Sequence, residues 1–182
     1  MTRKDQSSPV EPGTTVKGAS HAGRKSRALY TAEERVRRDE SVWTLVQGVL
    51  APLQFLVFLV SLGLVLRTLT TGEGAFAADV SIVIKTLVLY TIMITGSIWE
   101  KVVFGKWLFA ESFFWEDVFS MLVLALHTLY LVLLFGGYGT LEQRMLVALA
   151  GYGAYVINAG QFIWKLRMAR LEGAHSRTAV TA

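Results

Sequence analysis

Residues 41–66 read SVWTLVQGVLAPLQFLVFLVSLGLVL, a run of 26 positions without a charge. At 1.5 Å of rise per residue, about 20 apolar residues in a helix cross the hydrocarbon layer, so this run spans a bilayer with some tilt. Pro52 lies inside it and predicts a kink near the preceding turn. Three further segments read the same way. Residues 80–104 are apolar apart from Lys85 near the start and Glu100 and Lys101 near the end, charges close enough to the ends to snorkel to the interface. Residues 114–135 close on Gly136 and Gly137, and 145–164 complete the set. With the first span at about 42–66, the expected architecture is all-α: a polytopic membrane protein with four transmembrane helices in a bundle.

Composition agrees. Of 182 residues, 53% are hydrophobic and the mean hydropathy is +0.45, more apolar surface than one soluble core hides. The absence of cysteine removes disulfides, thiolate metal sites and a cysteine nucleophile. The net charge of +4 does not argue for nucleic acid, because the basic residues flank the apolar segments. The first 40 residues lack the apolar stretch of a secretory signal, so insertion through the first span is expected. Residues 1–28, rich in Ser, Thr, Gly, Pro and charge, read as a disordered cytoplasmic tail, and 173–182 as a second disordered tail, leaving 29–172 as the membrane domain. Just before the first span, Thr31 and Glu34 stand in the spacing of a capping box and predict a short interfacial helix. There is no internal repeat.

The cations set an orientation. With the N-terminus inside, nine Lys and Arg fall in the N-terminal tail, two in the 101–113 loop and four in the C-terminal tail, against Arg67 and Arg144 alone in the outer loops. That asymmetry predicts both termini in the cytoplasm. Trp43, Trp99, Trp107, Trp115 and Trp164 then cluster near the cytoplasmic ends of the spans, as an interfacial aromatic belt does.

Polar residues inside the spans carry the functional signal. Gln47, Gln54 and Ser61 recur every seven residues, and Asn158 and Gln161 lie three apart; interhelical hydrogen bonding is the plain explanation of both stripes. Glu116, Ser120 and His127 are spaced four and seven, which puts them on one stripe of the third span, with Asp117 displaced by about 100°. Ionisable groups in lipid are costly and mark functional interiors. The plain alternative for His127 is a neutral imidazole donating to a backbone carbonyl or to Asn158. A short loop between antiparallel second and third spans brings Glu100 beside Glu116 and Asp117, an acidic cluster able to keep one carboxyl protonated for general-acid work. Its plain alternative is salt bridging with Lys101 and Lys106. No Walker loop, dinucleotide fingerprint, HExxH motif or serine-hydrolase elbow is present, and His21 and His175 lie in the tails, which disfavours a paired-histidine haem site.

The segments TGSIWEKVVFG (95–105) and FFWEDVFSMLVLALHT (113–128) are not explained by hydrophobicity. Together with 29–67, 83–131 and 155–172, they resemble the 3-vinyl bacteriochlorophyllide hydratase family of phototrophic bacteria. The resemblance implies a hydro-lyase adding water across the C3 vinyl group of chlorophyllide a or its bacteriochlorin relative, to give a 3-(1-hydroxyethyl) pigment in bacteriochlorophyll synthesis. It implies a bacterial inner membrane, cytoplasmic or intracytoplasmic and photosynthetic. Its partners are the chlorophyllide substrate, the bilayer and neighbouring enzymes of the same synthesis, with no nucleic acid. No redox cofactor is implied, no metal ligand is assigned, and magnesium enters only as part of the pigment.

The resemblance supplies no catalytic set, so roles follow from mechanism. Protonating the terminal CH₂ leaves a cation conjugated with the ring, which water attacks. Glu116 and Asp117, with Glu100 in support, fit the acid and the stabilising carboxylate, and Glu116 is the foremost candidate. His127 fits orienting water or approaching the magnesium. Phe113, Phe114 and Trp115 fit the tetrapyrrole face, Lys101 or Lys106 its propionate, and Gln54, Asn158 and Gln161 the remaining polar contacts. Two rival readings are a non-catalytic membrane carrier or assembly factor for bacteriochlorophyll precursors, and a purely structural membrane subunit.

Overall fold

The computed structural model describes residues 29–180, with side chains through 171 except 169. The tail read at 1–28 and the final residues 181–182 lie outside the described residues. Five helices follow in order: α1 (Ala32–Glu40), α2 (Val42–Thr71), α3 (Ala75–Phe104), α4 (Phe114–Phe135) and α5 (Leu141–Val180), with no strand among the described residues. Four stretches, α2, α3, α4 and Leu141–Met168 of α5, are long and apolar enough to cross a membrane. The chain is a four-span helical membrane protein.

The capping box forms as its spacing requires. The Glu34 N–H donates to Thr31 Oγ1 at 3.2 Å, and the Thr31 N–H donates to Glu34 Oε2 at 2.8 Å. Ser41 ends α1 and caps α2 in turn. Helix α2 continues through Pro52 without a break. Gly72 (φ 73°) ends α2 and Gly74 (φ 81°) precedes α3, a left-handed pair that turns the chain back within a few residues.

Two boundaries differ from the sequence reading, with consequences. Helix α2 runs five residues past 66 and α3 begins five residues before 80. Hydropathy marks where lipid contact is apolar; the helix ends where glycine lets the backbone reverse. Lys85 therefore stands well inside α3 and has no exposed surface, which corrects the expectation that it snorkels; Glu100, 5% exposed, is likewise turned inward. The last helix, α5, also outruns its expected span and continues into 173–180, where a tail is read, with no proline in the sequence to stop it.

The bundle is two tight antiparallel hairpins, α2/α3 and α4/α5, which meet more sparsely along a seam. In lipid, helices gain little from apolar contact alone, so polar pairs and close approach set the register. Gln47 Nε2 donates to Thr95 Oγ1 at 2.7 Å and Ser61 pairs with Ser81 at 2.7 Å in the first hairpin, while Asn158 Nδ2 donates to Ser120 Oγ at 2.8 Å in the second. Across the seam, the Tyr152 hydroxyl bonds Ser61, the Tyr130 hydroxyl donates to Asp79, and Phe58, Val65, Ile82 and Met145 pack together. Outward residues such as Leu45, Phe76, Ile94 and Phe135 present an apolar face to lipid. Because the spans are even in number, the start of α2 and the end of α5 share one end of the bundle, here the terminal end, with the α3–α4 loop.

Candidate active site

The terminal end is where the charged groups converge. Gly105 (φ 77°) stops α3 one turn after Glu100, and α4 opens with Glu116 and Asp117 in its first turn, where the helix dipole favours negative charge. The loop between them donates its own backbone. Phe109, held at φ 59°, donates its N–H to Asp117 Oδ2 at 2.7 Å, and Ala110 donates its N–H to Glu100 Oε2 at 3.4 Å. Because consecutive amides of one loop hold them, the Glu100 and Asp117 carboxyl groups stand side by side. Glu116 differs: the Lys165 ammonium of α5 pairs with its Oε2 at 2.6 Å and lies 4.9 Å over the Phe113 ring. Glu100, Glu116 and Asp117 are all buried.

Above this cluster is a cleft of about 520 Å³, lined among others by Thr31, Glu34, Lys106, Ala110, Ser112 and Lys165. Two of its lining residues touch the carboxyl groups beneath, Ala110 through its N–H to Glu100 and Lys165 through its ammonium to Glu116. The stretch from Leu29 through α1 forms another wall. It is latched by Ser112 Oγ donating to the Leu29 carbonyl at 2.9 Å, by Arg37 Nε donating to the Val103 carbonyl at 2.9 Å, and by Tyr30 stacking on Phe104 at 5.7 Å. Burial pushes the Tyr30 phenol above its ordinary pKa, with the neighbouring Arg38 guanidinium opposing, so Tyr30 stays neutral in this wall.

The other sequence candidates divide into outward and interior sets. Phe114 and Trp115 are exposed on the outer face of α4 and pack edge to face on each other, away from the cluster. Phe113 is the buried aromatic, set among Tyr30, Trp99, Phe104 and Phe162. Lys101 is exposed and donates to the Gly105 carbonyl at 2.9 Å; Lys106 lines the cleft. Deeper in the bundle, His127 is buried with Nδ1 2.8 Å from the Val123 carbonyl. A carbonyl only accepts, so Nδ1 carries the proton and Nε2 keeps a lone pair, which meets no partner among the described residues. A Cβ at Gly151 would come within 3.0 Å of the imidazole, so glycine there makes room for it against α5. Neither polar atom of the buried Gln54 side chain is bonded, and the Asn158 and Gln161 side-chain oxygens are also unbonded.

Sequence reading missed Lys165, the Phe109 and Ala110 amides, and the interior position of Lys85. The spacing of Gln161 and Lys165, four apart on α5, hints that Lys165 extends the polar stripe of Asn158 and Gln161. Nothing in the sequence points to the two loop amides, because every residue has one and only the loop path aims them.

A family profile described as 2-vinyl bacteriochlorophyllide hydratase matches residues 30–168, the whole of this scaffold from the cleft wall to the far side of Lys165. The chain belongs to this family. The 2-vinyl group of that name is the 3-vinyl group of systematic ring numbering. The 2-vinyl bacteriochlorophyllide hydratase of Rhodobacter capsulatus is 67% identical over 148 residues, covering 81% of this chain and 86% of that protein. The protein of the same name from Cereibacter sphaeroides is 68% identical over 146 residues, covering 80% and 91%. No solved structure matches this chain.

Proposed function

We propose that this protein is a hydro-lyase that adds water to the vinyl group of a bacteriochlorophyllide, giving the 1-hydroxyethyl pigment of bacteriochlorophyll synthesis. The observation that carries the reading is the Glu100–Asp117 carboxyl pair, held side by side on consecutive loop amides beneath an open cleft, with the Glu116–Lys165 ion pair beside it, in a chain of the vinyl hydratase family. The proton of the carboxyl pair goes to the terminal CH₂ of the vinyl group, whose π electrons form the new C–H bond. The cation left on the ring-side carbon is stabilised by conjugation with the macrocycle and by the charged Glu116. Water from the cleft attacks that carbon, and its surplus proton returns to the carboxyl pair. One water is added and no electrons are exchanged, so the chain's own carboxyl groups suffice and magnesium enters with the pigment. The unpartnered Nε2 of His127 would supply a ligand to that magnesium.

Glu116, the foremost acid in the sequence reading, becomes the charge stabiliser, because the Lys165 ammonium already engages its Oε2 at 2.6 Å. On this reading the terminal end, and the reaction, lie on the cytoplasmic side of a photosynthetic membrane, with 29–172 as the catalytic domain; the excess of cations at that end supports the orientation. Purified protein incubated with 3-vinyl bacteriochlorophyllide should yield a product heavier by one water in mass spectrometry. Pigment that binds and leaves unchanged would make the protein a carrier instead, and no binding at all would make it a structural subunit.

A further inference from the structure

Lys85 has no part in the reaction just described. It stands ten residues into α3, its side chain is fully buried, and its Nζ crosses from α3 to lie 4.0 Å over the Tyr155 ring of α5. No hydrogen-bond acceptor meets that Nζ among the described residues. An ammonium in hydrocarbon is costly without a counter-charge, and an aromatic face offsets only part of that cost.

The polar groups that hold the bundle together pair with one another, Gln47 with Thr95, Ser61 with Ser81 and Tyr152, and Ser120 with the Asn158 amide nitrogen, though Asn158 keeps its Oδ1 unbonded. Lys85 and Gln54 on one hairpin and His127 Nε2 on the other have no such partner among the described residues. Their unbonded atoms therefore belong to neither helix pairing, and Lys85 lies in the seam between hairpins. They are placed as groups waiting for a ligand that supplies an anion, an acceptor and a Lewis acid.

A bacteriochlorophyllide is such a ligand. It is by definition the free acid, with one propionate carboxylate on the edge of the flat macrocycle away from the vinyl group and magnesium between them. The distances along the helices allow it. Tyr155, under the Lys85 ammonium, is one turn from Asn158, whose partner Ser120 is one turn from Asp117 and Glu116. Along α3 itself Lys85 and Glu100 are about 22 Å apart between backbones, and the reach of the two long side chains brings ammonium and carboxyl group toward the span of the macrocycle with its propionate.

We propose that Lys85 binds the propionate carboxylate of the pigment inside the bundle, with Gln54 as its hydrogen-bonding companion, so that the site selects the free acid over esterified pigment. The assignment rests on the hydratase reading. It is tested by measuring binding and hydration of 3-vinyl bacteriochlorophyllide and of its propionate methyl ester by the full-length protein in detergent. Wild type should bind the ester about 10- to 100-fold more weakly than the acid, the range for losing a charged hydrogen bond. Lys85→Met should bind the acid as weakly as the ester, and Lys85→Arg should keep a preference for the acid. Equal affinity of wild type for the two pigments, which needs no variant, would overturn the assignment, as would a folded Lys85→Met that still discriminates. Preferential binding of the acid with hydration of neither pigment would sink the hydratase reading and leave the carboxylate site standing.

Discussion

Glu100, Asp117 and Glu116 carry the same functional group within one end of the bundle, and their neighbours assign them different work. Glu116 is charge-paired with Lys165, whereas Glu100 and Asp117 are held side by side by two backbone amides. Glu100→Gln or Asp117→Asn should lower turnover by about 10²- to 10⁴-fold, the usual contribution of a general acid, with pigment binding changed only a few-fold. Glu116→Gln should cost less turnover than either, since it removes a stabilising charge and spares the donor. A product assay on all three variants decides the order, and a larger loss for Glu116→Gln would restore Glu116 as the donor. The existence of this cluster was legible in the sequence from helix periodicity and a short loop. The division of labour was not, because it depends on Lys165, which arrives from another helix 49 positions along the chain.

The element that arms the carboxyl pair is the α3–α4 loop. Phe109 at φ 59° is unusual for a bulky side chain, a conformation costing about 1–2 kcal/mol without glycine. The strain turns its N–H onto Asp117. Phe109→Gly keeps both the conformation and the N–H, so turnover should stay within a few-fold of wild type. Phe109→Pro fixes φ near −65° and removes the donor, so turnover should fall at least tenfold in variants that still insert and bind pigment. Equal activity of the Gly and Pro variants would remove the loop amide from the mechanism. Sequence reading placed this loop correctly between two spans but had no local signal for its path, since turn chemistry predicts glycine, not phenylalanine, at a left-handed position.

For the whole molecule, the decisive quantity is which end faces the cytoplasm, because it decides where pigment and water enter. Reporter fusions at both tails should be cytoplasmic, and fusions near Gly72 and Gly139 should lie on the opposite side. A reversed result at either tail would carry the cleft and the carboxyl pair to the other face of the membrane. The seam is the second whole-molecule feature. It brings Lys85 from one hairpin and His127 from the other into one interior, and neither hairpin by itself contains that site.

By itself the sequence determined the four spans, the capped helix before them, the charge asymmetry and the membership of the acidic cluster. All of these follow from local quantities: apolar run length, helical periodicity and the position of cations. Only the tertiary structure decided that Lys165 pairs with Glu116, that Trp115 and Phe114 face outward, and that Lys85 is buried under Tyr155 rather than snorkelling. The physical reason is that hydropathy counts a residue's distance from the end of an apolar run, whereas burial and pairing depend on where glycine ends the helix and which neighbour's face it then meets.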